Sequence, residues 1–401
     1  VPADPTDPSG AVAVSEELTD ATARPARPAD LPTLATLVRN SFAELAPRLD
    51  AAVARFYALL FTTAPEIRDL FPINMESQRG RFTRVLIHLV GALERPKEFD
   101  GFLAQLGRDH RKFDIAEEQF PVFGRALLSA LADTAGEPWT PEVAHAWARV
   151  YQYAAGTMRE AMRAETGPAS WHGEVVEHRR LDSDTALVRV RTEPPLRYRP
   201  GQYLAVEVPQ RPRVWRPYSP TTGPSPDGEL ELLVKAVGYG GVSRAIVSSA
   251  RPGDVWRLGP PMGRLGARLT GRRPLLMIGG GTGIAPILSL LHGLEDAATT
   301  PPSVLVYYGA RRWEQLHALD ALRGFSCRNR WLDVVAVVEE PPAEAGPEVG
   351  TLADVVVRNG RIAGSDVVVS GSPAMVRATV RALLVAMLPL ESIHYDPFVE
   401  D

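Results

Sequence analysis

Three groups of residues in this 401-residue chain could do chemistry. The first is the run LLMIGGGTGIAPILSLL, Leu275 to Leu291. Its pattern predicts a short apolar strand ending at Ile278, a tight turn through Gly279 to Gly283, and a helix from near Ile284 that aims unpaired N–H groups back at the turn. That arrangement suits a pyrophosphate. The run is not the G-x-G-x-x-G dinucleotide fingerprint and lacks the lysine of an NTPase loop, so a merely structural strand–helix turn stands as the alternative. Two later strand ends resemble it. VYYGAR puts Gly309, Ala310 and Arg311 at one carboxyl end, and VVVSGSPAMV puts Gly371, Ser372 and Pro373 at another. Ligands of open parallel sheets lie across such ends, where glycines let a flat ring or a ribose approach the backbone. Arg311 could meet a phosphate or ribose edge, or be an ordinary exposed arginine, and the ARR run does not distinguish NADH from NADPH.

The second group is RPYSP, Arg216 to Pro220. Strand alternation turns Arg216 and Tyr218 to one side and Ser219 to the other. A diphosphate contact from Arg216, an aromatic wall from Tyr218 and a hydrogen bond from Ser219 to the polar edge of an isoalloxazine would follow. Downstream, GYGGVSRAI offers Gly240, Gly241 and Ser243 before a short helix, a second anion site of the same physical type. The third group is scattered over the first half: His110 in LGRDHRKF, Tyr57 in RFYALLF, Phe71 in RDLFP and Gln78 in NMESQRGRF. An imidazole without any nearby cysteine is compatible with His-ligated iron. A surface or core histidine and core aromatics are the plainer alternative.

The elements that must carry these groups change character along the chain. From Leu31 to about Glu165 apolar residues recur at helical spacing, broken at TTAPE, ERPKEFD and TAGEPWTPE, which predicts an all-helical domain of roughly six helices. After Gly167-Pro168 the period falls toward two, and strands divided by Gly, Pro and Asp turns suggest a small antiparallel barrel. From Arg272 short apolar strands alternate with helices, as in a parallel α/β sheet. The expected division is a flexible tail over 1–30, a helical domain over 31–167, a barrel over 168–270 and an α/β domain over 271–401. The tail is rich in Pro, Asp, Ala and Thr and does not read as a secretion signal.

Bulk properties narrow the function classes. The 45% hydrophobic and 23% charged composition is that of a globular protein. A net charge of -4 gives no wholesale attraction to nucleic acid or an anionic bilayer. The single cysteine, Cys327, excludes an internal disulfide and a thiolate-rich metal site, and makes a cytoplasmic location the default. No apolar stretch approaches the ~20 residues of a membrane span. No nucleic acid or membrane partner is expected.

The order RPYS, GGVS, GGGTGIAP and GSPAM, at barrel-then-sheet spacing, resembles the ferredoxin–NADP reductase-like superfamily from about Trp171 to Asp401. The resemblance implies FAD in the barrel, contacted by Arg216, Tyr218, Ser219 and Ser243 with Tyr203 of GQYLAV beside it. It implies NADH or NADPH in the sheet domain, held by Gly280, Thr282 and Gly283. The terminal HYDPF resembles the superfamily's end motif, with Phe398 against the flavin and Asp396 beside the nicotinamide. In the helical half, FYALLF, LFPINMESQ, LGRDHRKF, FGRALLSAL and AWARVYQYAAGTM resemble a bacterial globin in order. A globin ahead of this reductase resembles a flavohaemoglobin, which would cover Leu31 to Asp401. By that resemblance His110 is the proximal ligand of haem b, Tyr57 the distal hydrogen-bond donor and Gln78 the second distal residue. Phe71 packs on the haem face and Phe82 completes the distal wall. The implied activity is that of an NAD(P)H-dependent nitric oxide dioxygenase: electrons pass from nicotinamide to FAD to haem, and nitric oxide and dioxygen become nitrate. The small ligands would be dioxygen and nitric oxide, a lipid could enter a wide apolar distal pocket, and the chain would be a monomer or weak dimer.

The chain departs from the family pattern on the proximal side. Phe120 in EEQFPVF stands where many flavohaemoglobins have a tyrosine, and neither Glu160 nor Glu165 falls in the register of the glutamate that completes their proximal network. A second-shell acceptor makes an imidazole more electron-rich, so its loss would raise the haem potential. The segment from Phe71 to Gln78 is also shorter than in typical members. Three alternatives follow: a divergent reductase or oxidase acting on another organic or nitrogenous substrate, a gas-sensing or oxygen-binding globin with its own reductase, and a flavin reductase whose helical half holds no haem.

Overall fold

The computed structural model of the chain describes residues 30–238, 241–266, 273–297, 303–341, 346–361 and 363–396. The tail expected over 1–30 lies outside these residues except for Asp30. Two compact units are divided between Ala169 and Ser170.

The first unit is helical, with six α-helices among the described residues: α1 (Leu31–Leu45), α2 (Leu49–Thr63), α3 (Glu76–Ala92), α4 (Pro96–His110), α5 (Gln119–Ala135) and α6 (Pro141–Ala164). Each buries one apolar stripe. On α1 it comprises Leu31, Leu34, Ala35, Val38, Phe42 and Leu45, the spacing of a single helical face. The start of α6 is set by Thr140, whose hydroxyl accepts the Val143 N–H at 3.3 Å, and by Pro141 in the first turn. Helices α4 and α6 approach so closely that a Cβ on Gly107 would lie 2.4 Å from the Met158 carbonyl oxygen. His110 is the last residue of α4. A 3-10 turn, Arg111–Phe113, follows it, and Asp114 at φ 53° ends the turn in the left-handed region. The imidazole therefore sits at the end of a firmly packed helix rather than in a loop.

The second unit begins with a curled antiparallel sheet of β1 (Trp171–Arg180), β2 (Thr185–Thr192), β3 (Tyr203–Val208), β4 (Arg211–Tyr218) and β5 (Glu229–Lys235), then α7 (Val242–Ser249) and β6 (Val255–Met262). Strand order is β4-β3-β6-β1-β2-β5. Just past β4, Pro220 bridges to Leu232 of β5, joining the two edge strands into a barrel. Val188, Val190, Leu204, Val206, Leu230, Leu232 and Trp256 fill its interior.

A parallel sheet follows, built from β7 (Leu275–Gly280), α8 (Ala285–Glu295), β8 (Val304–Ala310), α9 (Leu319–Arg328), β9 (Leu332–Val338), β10 (Glu348–Val349), α10 (Leu352–Asn359), β11 (Asp366–Ser370), α11 (Pro373–Val385) and β12 (Ile393–His394). Its order is β10-β9-β8-β7-β11-β12. Alternation sends Met277, Val306 and Tyr308 to one core and Ile278, Tyr307 and Val369 to the other, as covering helices on both faces require. Barrel and sheet share the first of these cores through Leu233. Across the same seam Asp182 meets His317, Oδ2 to Nε2 at 2.8 Å, and the Ser289 hydroxyl accepts the Gly201 N–H at 3.3 Å. No helix among the described residues is long and apolar enough to cross a membrane.

Two of the buried phenols in this unit are hydrogen-bonded to the backbone. Tyr198 donates to the Gly223 carbonyl at 2.8 Å, and the Tyr308 oxygen accepts from the Ala318 N–H at 3.4 Å. Burial pushes both up to about 12, against only partial relief from Thr222 and Ala318 respectively. Unfolded phenols titrate near ~10. Between those values the folded state holds more protons than the unfolded one, so stability falls as pH rises from 10 toward 12. Urea denaturation at about pH 9 and about pH 11 should show that loss, and Tyr198→Phe and Tyr308→Phe should each remove part of the slope. Equal stability at both pH values would contradict the assignment.

Candidate functional site

In the helical unit the site residues on α2 and α3 converge. The Gln78 amide donates from Nε2 to the Tyr57 oxygen at 3.3 Å. Around that phenol stand Phe56, Phe61, Phe71 and Phe82, with ring centroids 4.8, 5.7, 5.5 and 5.9 Å from the Tyr57 ring. Burial pushes the phenol up to about 12, outweighing the Gln78 hydrogen bond and the nearby Arg79. Because Gln78 supplies the hydrogen to the Tyr57 oxygen, the Tyr57 O–H remains available to donate elsewhere. The structure therefore brings Tyr57, Gln78, Phe71 and Phe82 together, despite the short segment between Phe71 and Gln78. Phe56, Phe61 and Phe123 also belong to this aromatic cluster but were not singled out from sequence. Their helical spacing alone reads as core.

His110 is held separately. Its Nδ1 lies 2.8 Å from the Leu106 carbonyl oxygen, one helical turn back, which makes Nδ1 the protonated nitrogen. Burial lowers the imidazole below its ordinary value, against the pull of Asp109 and the Leu106 carbonyl, so the ring is neutral. Nε2 is then a lone-pair nitrogen, and it has no hydrogen-bond partner among the described residues. A neutral imidazole fixed through Nδ1 with Nε2 open is the donor that iron of a haem requires. No cluster of three or more His, Cys, Asp or Glu that could hold a bare metal ion occurs among the described residues.

In the barrel, Arg216 and Tyr218 lie half-buried at the end of β4, and Ser219 follows just outside the strand. Ser243 turns inward: its hydroxyl accepts the Val237 N–H at 3.1 Å and clasps the loop ahead of α7, while Gly241 caps that helix. Gly240 lies outside the described residues. A Cβ on Gly263 would lie 2.9 Å from Asp396 Oδ2 and 3.1 Å from the Tyr203 ring, so the C-terminal segment folds back beside Tyr203. Phe398 lies outside the described residues.

Three strands of the parallel sheet end level with one another. Gly280 pairs with Gly309, and Gly279 with Ser370, which precedes Gly371. A 3-10 turn, Gly281–Ile284, precedes α8 and carries Thr282 and Gly283. A Cβ on Gly283 would meet the Gly371 Cα at 2.4 Å, so this glycine is demanded by the contact between the turn and β11. Beside them, Met375 covers Gly280 and Gly371, its methyl 2.7 and 2.1 Å from where their Cβ atoms would be. Small residues here leave a shallow edge on which a flat group could rest, with a flexible thioether as its floor. Arg311, just beyond β8, donates from Nε to Glu340 Oε1 at 2.7 Å. Glu340 escaped the sequence reading although it too lies just past a strand's carboxyl end.

Comparison with known proteins decides what these parts amount to. The globin family model matches residues 54–158, the oxidoreductase FAD-binding domain 172–266 and the oxidoreductase NAD-binding domain 277–381. A flavohemoprotein of Xylella fastidiosa (strain Temecula1) is 26% identical over 388 residues, covering 92% of this chain and 96% of that protein. The chain joins a globin domain to FAD-binding and NAD-binding oxidoreductase domains, and flavohemoproteins are similar to it over most of its length. Its reductase half also resembles the ferredoxin–NAD(P)+ reductase component of naphthalene 1,2-dioxygenase/salicylate 5-hydroxylase systems from a Ralstonia species, at 34% identity over 218 residues. That alignment spans 54% of this chain and 65% of the relative, just under two thirds. The solved flavohemoglobin of Malassezia yamatoensis, at 16% identity, shares the fold with a TM-score of 0.76, covering 90% of this chain and 98% of that one.

Around Phe120 the helical unit departs from what the resemblance implies. Phe120 is buried, the Arg159 guanidinium lies over its ring at 5.9 Å, and Tyr151 donates to its carbonyl oxygen at 2.6 Å. Glu160 is exposed, and Glu165 lies 3.9 Å from Arg108. Neither carboxylate hydrogen-bonds His110, whose Nδ1 rests on a backbone carbonyl.

The Gly283 contact is directly testable. Gly283→Ala should destabilise the reductase unit by about 1–3 kcal/mol, the usual penalty of overpacking against backbone that cannot move aside. A thermal melt that matches the wild type would show that the turn shifts without cost.

Proposed function

We propose that the chain is a flavohaemoglobin, an NAD(P)H-dependent oxidoreductase that passes electrons through FAD to haem and converts nitric oxide and dioxygen to nitrate. The observation that carries the reading is the Tyr57–Gln78 pair: a buried phenol whose oxygen already accepts one hydrogen bond, inside an aromatic cage, in a globin whose His110 offers an open Nε2. When bound, FAD would supply a hydride acceptor that can release electrons singly, and haem would supply iron able to bind a gas and to change by one electron.

The chain's own residues divide the work. His110 would hold the haem iron through Nε2, with Phe71 and Phe82 packing against the macrocycle. Tyr57 keeps its proton throughout the physiological range, because burial holds the phenol near 12. It offers that O–H to a small, partly negative ligand, an interaction that strengthens as charge develops in a water-poor pocket. Gln78 holds the phenol oxygen in place. The aromatic cage keeps water out and admits small apolar gases. In the reductase unit, Tyr203, Arg216, Tyr218, Ser219 and Gly241 would hold FAD, while Ser243 would support the loop that carries Gly241. Gly280, Thr282, Gly283, Gly371 and Asp396 would form the nicotinamide site. A single cysteine accords with a cytoplasmic setting.

A second reading has a specific observation in its favour. His110 leans on a neutral carbonyl instead of a carboxylate, which would make the imidazole a weaker electron donor. That favours a divergent reductase or oxidase whose substrate at the haem is another organic or nitrogenous compound.

Two measurements separate these readings. Rapid mixing of the oxygenated, NADH-reduced protein with nitric oxide should yield stoichiometric nitrate within milliseconds. Persistence of nitric oxide without nitrate would sink the dioxygenase reading and leave the second. Tyr57→Phe should release dioxygen roughly 10- to 100-fold faster, from loss of a hydrogen bond worth about 1.5–3 kcal/mol to a partly charged acceptor. An unchanged release rate would remove Tyr57 from the distal role.

A further inference from the structure

The carboxyl edge of the parallel sheet carries a feature that the reductase reading leaves unused. Strands β7, β8 and β9 are parallel neighbours in register, with Gly280 beside Gly309 and Ala310 beside Val338. The ladder continues past the strands: the Glu339 N–H donates to the Ala310 carbonyl at 3.2 Å and the Glu340 N–H to the Arg311 carbonyl at 2.9 Å. Those two bonds hold Glu340 alongside Arg311, and the side chains close the arrangement through Nε and Oε1 at 2.7 Å. On the other side of β7, the segment after β12 brings Asp396 to Tyr203 of the barrel. If the redox-active end of a dinucleotide turns toward the barrel and its pyrophosphate meets the turn at Gly281–Ile284, its adenosine half extends toward β8 and β9. Arg311 and Glu340 stand there.

We infer that Glu340 makes this end of the site selective for a ribose with a free 2′-hydroxyl, so that the nucleotide is NADH rather than NADPH. Alone, Arg311 would be a cation suited to a 2′-phosphate. Paired with Glu340 it presents no net charge. A 2′-phosphate must take the guanidinium from Glu340 and then face that carboxylate's negative charge. A 2′-hydroxyl donates to the carboxylate and leaves the ion pair whole, the same logic by which an acidic side chain selects an unphosphorylated ribose in other dinucleotide folds. Arg312, the next residue, adds a second cation near the edge, so the carboxylate is the element that sets the sign. With side-chain exposures of 74% and 47%, the pair contributes little to folding, which makes it safe to alter.

This inference rests on the nicotinamide-site reading, and the test separates the two. Binding of 5′-ADP and 2′,5′-ADP to the full-length protein is measured by titration calorimetry, alongside ferricyanide reduction driven by NADH and by NADPH. The wild type should bind 5′-ADP at least roughly tenfold more tightly than 2′,5′-ADP and prefer NADH by a similar factor. Glu340→Gln should narrow or reverse that ratio by roughly tenfold, while Arg311→Gln should bring no gain for 2′,5′-ADP. Equal or tighter binding of 2′,5′-ADP by the wild type, or an unchanged ratio in E340Q, overturns the role of Glu340 and leaves the site itself intact. If neither nucleotide binds and neither NADH nor NADPH reduces the flavin, the nicotinamide reading falls and this inference with it.

Discussion

The hydrogen bond between His110 Nδ1 and the Leu106 carbonyl oxygen orients the helical unit's chemistry. It assigns the proton to one ring nitrogen and leaves the other with its lone pair, and burial keeps the ring neutral. Everything that a globin does with a gas requires a ligand of that kind. The fold secures it by placing the histidine at the last turn of α4, directly above the Leu106 carbonyl one turn back. Close approach of α4 and α6 at Gly107 then makes the helix end a rigid mount. The Tyr57–Gln78 pair is built by the opposite device: the two residues come from different helices, so their contact depends on how α2 and α3 pack.

The reductase unit solves a different problem with strand ends. A parallel sheet exposes the carboxyl termini of its strands along one edge, and there a ligand can reach several backbones at once. The edge stays open only if side chains do not fill it. Glycine at positions 280, 309 and 371, with the Gly283 turn pressed against β11, keeps it shallow. The shared core around Leu233 and the Asp182–His317 contact tie the barrel to the sheet, so the flavin and nicotinamide regions are parts of one compact body.

The surroundings of Phe120 show how the same domain order can carry different local contacts. A half-buried phenol does enter the layer around Phe120, but it comes from Tyr151 on α6 and ends on a backbone carbonyl. A guanidinium, rather than a carboxylate, lies over the ring at that position. The imidazole's support is thereby reduced to a neutral acceptor, and the electronic character of any haem it held would differ from that of members with a carboxylate there.

Much of this was legible in the chain itself. Helical spacing to about Glu165, alternation after Pro168 and short apolar runs after Arg272 determined three kinds of layer, because each period is a local property of the backbone. Glycine clusters marked the carboxyl ends of the parallel strands for the same reason, and the order of short motifs carried the family resemblance. Contacts between distant residues were not legible. Tyr57 and Gln78 are separated by 21 positions, Phe120 and Tyr151 by 31, and Arg311 and Glu340 by 29. No periodicity relates such pairs. Sequence by itself determined which elements form and which side chains are chemically able; only the tertiary structure decided which of them meet, since packing between elements, and not spacing along them, sets those distances.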